Sequence, residues 1–223
     1  MALRPLKQIF GSLFVTVGMM SALVVVPTHA TTAYAVTAAD LIKAVETKYK
    51  SVAGLRASFT QISRNAVFGD ETVTGIITVK RPAKMRWEFG KDKLFITNGS
   101  KLWIYTVADK QVIQYDDLSS GQTTAESLLG SLDKLTSMFK ITVVKSDATG
   151  NVLDMIPNEE GQFKRVRLTL DAALLIKQVI ITDTFDNVTE MNFTAVQLNP
   201  AIDDAIFEFR VPAGVDVVRA TTN

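Results

Sequence analysis

Residues 75–89 read GIITVKRPAKMRWEF, and their alternation decides the fold class. Gly75, Ile77 and Val79 share one face, as does Val73 before them; after a short interval Met85, Trp87 and Phe89 alternate with Lys84, Arg86 and Glu88. A period of two marks extended chain, whose successive side chains point to opposite faces. Runs this close in sequence should pair as antiparallel neighbours. The pattern spreads outward from here. Leu55, Ala57 and Phe59 share a face upstream. Short runs follow around 93–97, 101–107 and 110–115, with Asn98-Gly99 as a hairpin signal between two of them. Strands resume at 140–146, 150–156, 162–170, 174–183 and 188–198, and a last short one is expected at Ile206 to Val211, ending at Pro212-Ala213-Gly214.

Two segments break the rhythm. Leu41, Val45, Tyr49 and Val52 recur at helical spacing, with Thr37 placed to cap the helix, Asp40 three positions on and Gly54 as the stop. Further along, Leu128, Leu132, Leu135 and Phe139 recur at the same spacing, with Leu129 and Met138 alongside and a capping box at Thr123-Thr124-Ala125-Glu126. This predicts a second amphipathic helix over 124–139. The simplest organisation is one mainly β domain of about eleven antiparallel strands with two helices. A sheet of that width curls to hide its edges, and its concave face needs a cover that the two apolar stripes can supply. Some strands are apolar on both sides: Leu102 and Ile104 oppose Trp103 and Tyr105, and Val179 and Ile181 oppose Ile176 and Ile180. Central strands covered on both faces explain this, and so does an apolar concavity.

The first residues belong to targeting. Arg4 and Lys7 precede an uncharged apolar run from Ile9 to Val26, Pro27 ends it, and small residues follow. That is the layout of a secretory signal peptide spanning residues 1–35, with cleavage expected after Ala30 or Ala35 and the working domain at 36–223. Removing Arg4 and Lys7 leaves 22 basic against 23 acidic residues, a near-neutral surface without the footprint of a nucleic-acid binder. No cysteine is present, so the exported chain has neither a disulfide nor a residue to carry an N-terminal lipid.

The same inventory removes most catalytic chemistry. The only histidine, His29, sits in the leader. Without histidine or cysteine the mature chain has no Ser-His-Asp or Cys-His site and no zinc site of the usual kind, and no catalytic, cofactor or metal residue is assigned. Three acidic pairs remain, Asp116-Asp117, Glu159-Glu160 and Asp203-Asp204; each lies near turn signals and reads as surface loop. An envelope hydrolase built on such a pair is therefore a poor fit.

Several ordered segments resemble the LolA family of periplasmic lipoprotein carriers: Ala57-Ser58-Phe59-Thr60-Gln61 after an amphipathic helix, then 75–82 followed by Met85-Arg86-Trp87-Glu88, then Asn98-Gly99 leading into Leu102-Trp103-Ile104-Tyr105 and Gln111-Val112. The tail Phe207-Glu208-Phe209, Pro212 and Gly214-Val215 is similar too. The resemblance implies an unclosed β-barrel with a helical lid over an apolar cavity. It also implies a periplasmic chaperone that takes lipoprotein acyl chains from an inner-membrane ABC transporter and passes them to an acceptor at the outer membrane. A monomer without cofactor is expected. The family's lid-holding arginine, which bonds to helix carbonyls, falls on Arg81. Cavity-lining candidates are Phe59, Ile77, Val79, Met85, Trp87, Phe89, Trp103, Tyr105, Leu128, Leu132, Leu135 and Met138, with Leu41, Val45 and Tyr49 on the first lid helix. A carrier or sensor of other lipids or glycolipids on the same fold is the alternative.

Overall fold

A computed structural model describes residues 37–65, 69–116 and 125–220. The leader with both cleavage points, and the capping box at Thr123, lie outside the described residues. Helix α1 (Ala38–Lys50) begins as its sequence requires: Thr37 Oγ1 accepts from the Asp40 N–H at 3.1 Å, and Asp40 Oδ2 accepts from the Thr37 N–H at 3.3 Å. Two of the free N–H groups of the first turn are thereby satisfied. Leu41, Val45 and Tyr49 form the buried stripe.

Two antiparallel meanders follow. The first holds β1 (Gly54–Asn65), β2 (Gly69–Lys80), β3 (Lys84–Phe89), β4 (Lys93–Asn98), β5 (Leu102–Thr106) and β6 (Gln111–Tyr115). The second holds β7 (Phe139–Asp147), β8 (Gly150–Pro157), β9 (Phe163–Leu170), β10 (Ile176–Asp183) and β11 (Val188–Leu198). Pairing of β1 with β11 joins them into one sheet, and β12 (Asp216–Ala220) adds to the edge by pairing parallel to β6. Among the described residues the sheet has twelve strands, and its edges β12 and β7 do not meet. The β4–β5 hairpin forms where Asn98-Gly99 announces it: Gly99 has φ +97°, and Asn98 Oδ1 accepts from the N–H groups of Ser100 and Lys101.

The sheet has two different faces. Ala57, Phe59, Ile77, Val79, Trp87, Phe95 and Leu102 point to one, and there they share a single core with Leu153, Met155, Val179, Ile181, Met191 and Phe193 of the second meander and with the helices. This face curls inward. Six strand steps separate β2 from β7, about 29 Å on a flat sheet at roughly 4.8 Å a step. Yet Arg81, just past β2, touches Asp133, which precedes β7 by little more than a turn of helix. The helices therefore cover the concave side. On the opposite face Ile96, Trp103 and Val112 form a second small core with Leu94, Tyr105, Phe209 and Val215.

Three local expectations are corrected. The helix expected over 124–139 is two pieces, α2 (Ala125–Gly130) and α3 (Leu135–Met138), joined by turn bonds from Ser131 N–H to Leu128 O and from Lys134 N–H to Ser131 O, both 2.9 Å. The break follows Gly130, and it lets Leu128, Leu129, Leu132 and Leu135 all reach the core. The strand expected at Ile206 to Val211 is instead a 3-10 helix (Asp204–Phe207) capped by Asp203, with extended chain after it, and the last strand starts at Asp216. Phe207 is wholly buried, and the carbonyls of Ile202 and Ile206 accept from the side chains of Lys80 and Arg86, so this segment crosses the sheet's outer face instead of joining a ladder. Finally, a register shift between Ile176 and Gln178 turns Ile176 to the same side as Val179 and Ile181.

Candidate functional site

The candidate site is the apolar space between the concave face and the helices, with the groups that fasten one to the other. β1, β2 and β3 supply Phe59, Ile77, Val79 and Trp87, all buried, with Met85 and Phe89 partly buried against them. Opposite them stand Leu41, Val45 and Tyr49 of α1 and Leu128, Leu132 and Leu135 of the α2–α3 segment. The sequence candidates thus meet, with three exceptions. Trp103 and Tyr105 point to the outer face, where Phe209 lies 6.2 and 5.7 Å from their rings. On β5 both faces are covered, one by the core and one by the C-terminal segment, so its double apolar character marks a central strand. Met138 ends α3 and is 36% exposed, because the helix break gives the buried place to Phe139.

One side chain fastens the cover. Arg81 donates from Nε to Val52 O at 2.9 Å and from Nη2 to Tyr49 O at 3.2 Å, reaching the end of α1. Its Nη1 donates to Asp133 Oδ2 at 2.9 Å, and Nη2 lies 2.8 Å from Oδ1 of the same carboxylate. Its backbone N–H donates to Ala53 O at 2.9 Å. The helix end, the α2–α3 turn and the β2–β3 connection therefore converge on a planar fork that can serve several acceptors at once. The guanidinium beside Asp133 holds that carboxyl below its ordinary range.

Two further ties are present. Glu46 of α1 accepts from the Thr136 N–H and Oγ1 at 2.7 and 2.8 Å, bonding α1 to the first turn of α3. The Tyr49 hydroxyl accepts from the Ile176 N–H at 3.0 Å inside the core, and burial pushes its pKa up to about 12. Neither Asp133 nor Glu46 stands out in the sequence. Each reads as an ordinary acidic residue of an amphipathic helix, and only the chain path brings it to a partner. Beside Arg81 the space bounded by Tyr49, Val52, Leu55, Val79, Leu129 and Gly130 measures about 20 Å³. That is room for one water and not for a hydrocarbon chain, so the cover is closed here.

Of the acidic pairs, the described members Asp116, Asp203 and Asp204 have structural partners, Asp116 accepting from Gln114 Nε2 and pairing with Lys101. Asp203 caps the 3-10 helix, and Asp204 pairs with Lys80 and Lys84. Glu159 and Glu160 are exposed.

Residues 50–210 match the family model described as "Outer membrane lipoprotein carrier protein LolA". A protein of Methylobacillus flagellatus named outer-membrane lipoprotein carrier protein is 30% identical over 81% of this chain and 89% of its own length. One of the same name from Dechloromonas aromatica is 32% identical over 76% of this chain and 83% of its own. Among solved structures, an uncharacterized conserved protein from Thermus thermophilus shares the fold at 11% identity, with a TM-score of 0.54, over 82% of this chain and all of that one.

Proposed function

Since this chain belongs to the LolA family of outer-membrane lipoprotein carrier proteins, we propose that it carries acylated proteins through the periplasm with their acyl chains held between the helices and the concave sheet. The observation that carries the proposal is the apolar concave face of a sheet that never closes, covered by helices fastened through polar groups at their margins. Each CH₂ kept from water contributes about 0.8 kcal/mol, so two or three acyl chains need enclosure. A permanent enclosure would never deliver. A cover that closes on its own leucines competes with the cargo, and this competition keeps affinity moderate and release feasible.

Arg81 holds the cover closed in this reading, with Asp133 as its second anchor. The cargo comes from an inner-membrane ABC transporter and goes to an outer-membrane acceptor, and the carrier works as a monomer without catalytic chemistry of its own. Residues 1–35 are a leader removed on export, so the working chain starts between Thr31 and Val36; intact-mass measurement of the periplasmic protein checks this. The decisive experiment is mass spectrometry of what co-purifies with the mature protein. Triacylated or diacylated protein is the expected ligand. A glycolipid or an empty protein from cells making lipoproteins overturns the proposal.

A further inference from the structure

The concave face is mainly hydrocarbon, and its buried polar side chains Thr97 and Asn151 are hydrogen-bonded, Thr97 Oγ1 accepting from the Gly99 N–H and Asn151 bonding to Ser146 and Asp171. Trp87 is wholly buried, and its indole N–H finds no acceptor among the described residues. Its neighbours across the ladders and on its own strand are apolar: the Phe59 ring stands across it at 5.0 Å and 68°, the Phe89 ring stacks at 5.8 Å, and its ladder partners are Ile77 and Phe95. A ring face is a much weaker acceptor than a carbonyl. The second tryptophan behaves differently, since Trp103 on the outer face donates to Gln114 Oε1 at 3.1 Å. Among the described residues one other buried side-chain atom shares Trp87's lack of a hydrogen bond, Asp133 Oδ1, but it faces Arg81 Nη2 at 2.8 Å and its charge is matched. Phenylalanine would be apolar at position 87 without stranding a donor. Native proteins rarely leave buried donors unpaired.

We propose that Trp87 reads the acyl carbonyl of the cargo. Its N–H donates to an ester or amide carbonyl oxygen when the cover opens and acyl chains replace the helix side chains over β3. This rests on the carrier reading above and adds a chemical criterion to it. An acyl chain bears its strong acceptor at one end of the hydrocarbon, whereas an ether-linked chain of the same length has only a weak one. In a site without water the donor and the carbonyl have no other partner, so the bond discriminates more sharply than at a surface. It also fixes how deep the chain can slide. Carbon contacts alone cannot set that depth, because one methylene resembles the next.

The test compares a diacyl phospholipid with its dialkyl-ether analogue of equal chain length and headgroup, binding to the mature protein and to Trp87→Phe. Wild type should bind the diacyl lipid more tightly by about three- to tenfold, and Trp87→Phe should bind the two equally. A wild-type protein that binds both lipids equally, or a variant that keeps the preference, overturns the inference and leaves the carrier reading standing. Failure of the wild type to bind either lipid overturns both. Vibrational spectra of the unmutated protein give a second reading that does not depend on the variant folding. The free protein should show one bonded and one unbonded indole N–H, and the unbonded signal should disappear on adding the diacyl lipid but not the ether lipid. Two bonded indoles before lipid is added overturn the inference.

Discussion

The carboxylate of Asp133 lies across the guanidinium of Arg81, with Oδ2 2.9 Å from Nη1 and Oδ1 2.8 Å from Nη2. The same fork reaches the carbonyls of Tyr49 and Val52. In the carrier reading proposed above, opening the cover breaks these bonds together, because they share one side chain.

Arg81→Leu should therefore separate uptake from release. It removes several hydrogen bonds at about 1 kcal/mol each, and somewhat more for a charged donor. The closed empty state loses that stabilisation, so cargo should bind about one to two orders of magnitude more tightly and leave more slowly. Arg81→Lys, which keeps the charge but not the fork, should be milder. Transfer of a labelled lipoprotein from loaded carrier to acceptor membranes measures this, and transfer at the wild-type rate would reduce Arg81 to a packing residue.

Asp133→Asn should weaken the same fastening in a pH-dependent way. Arg81's hydrogen bond is the main cause that lowers the Asp133 pKa in the folded chain. A carboxyl depressed on folding adds stability above its ordinary value of about 3.9, and that stability is lost as pH falls through the lower folded value. Urea titrations should show wild type more stable than Asp133→Asn by about 1–3 kcal/mol at pH 7, with the gap closing in strong acid. Asp154, held low chiefly by Arg167, and Glu190, held low chiefly by Asn192, weaken both proteins alike in acid, so the difference isolates Asp133. A gap that persists unchanged at about pH 2 would count against the pair.

Tyr49→Phe should cost about 1–3 kcal/mol of stability, because the buried Ile176 N–H loses its acceptor while the ring still fills its place. Burial pushes the Tyr49 pKa to about 12, so its phenolate absorbance should appear only at high pH, near the point of alkaline unfolding. Normal titration near pH 10 would mean the hydroxyl is wetter than its packing indicates.

Gly75→Val should be among the most damaging substitutions on the sheet. A Cβ at Gly75 would stand 2.0 Å from the Glu88 carbonyl oxygen and 2.6 Å from the Phe59 ring. The first is backbone of the neighbouring strand and cannot swing aside, so a loss of about 3 kcal/mol or more is expected. Thermal unfolding checks it, and an unchanged midpoint would show that β2 and β3 can separate at this point without cost.

Local features were legible along the chain. Alternation of the Met85, Trp87, Phe89 kind identifies strands, since side-chain direction in extended chain repeats every two residues whatever lies around it. The Thr37–Asp40 box placed the start of α1 because cap and acceptor are three residues apart. Ordered segments spread along the mature chain were enough to point to the family.

What covers each face was settled only by the folded chain. Trp87 and Trp103 look alike along their strands, yet one faces the helices and the other faces the C-terminal segment. Period-two patterning separates the two sides of a strand but does not say what packs on each. The same limit hid the break after Gly130 and the parallel placement of β12. It also hid the pairing of Arg81 with Asp133, residues that meet only because a twelve-strand sheet curls far enough to bring the approach to β7 over the end of β2. Curling is a property of the whole sheet, set by accumulated strand twist and by the apolar area that must be hidden, and no short window of sequence contains it.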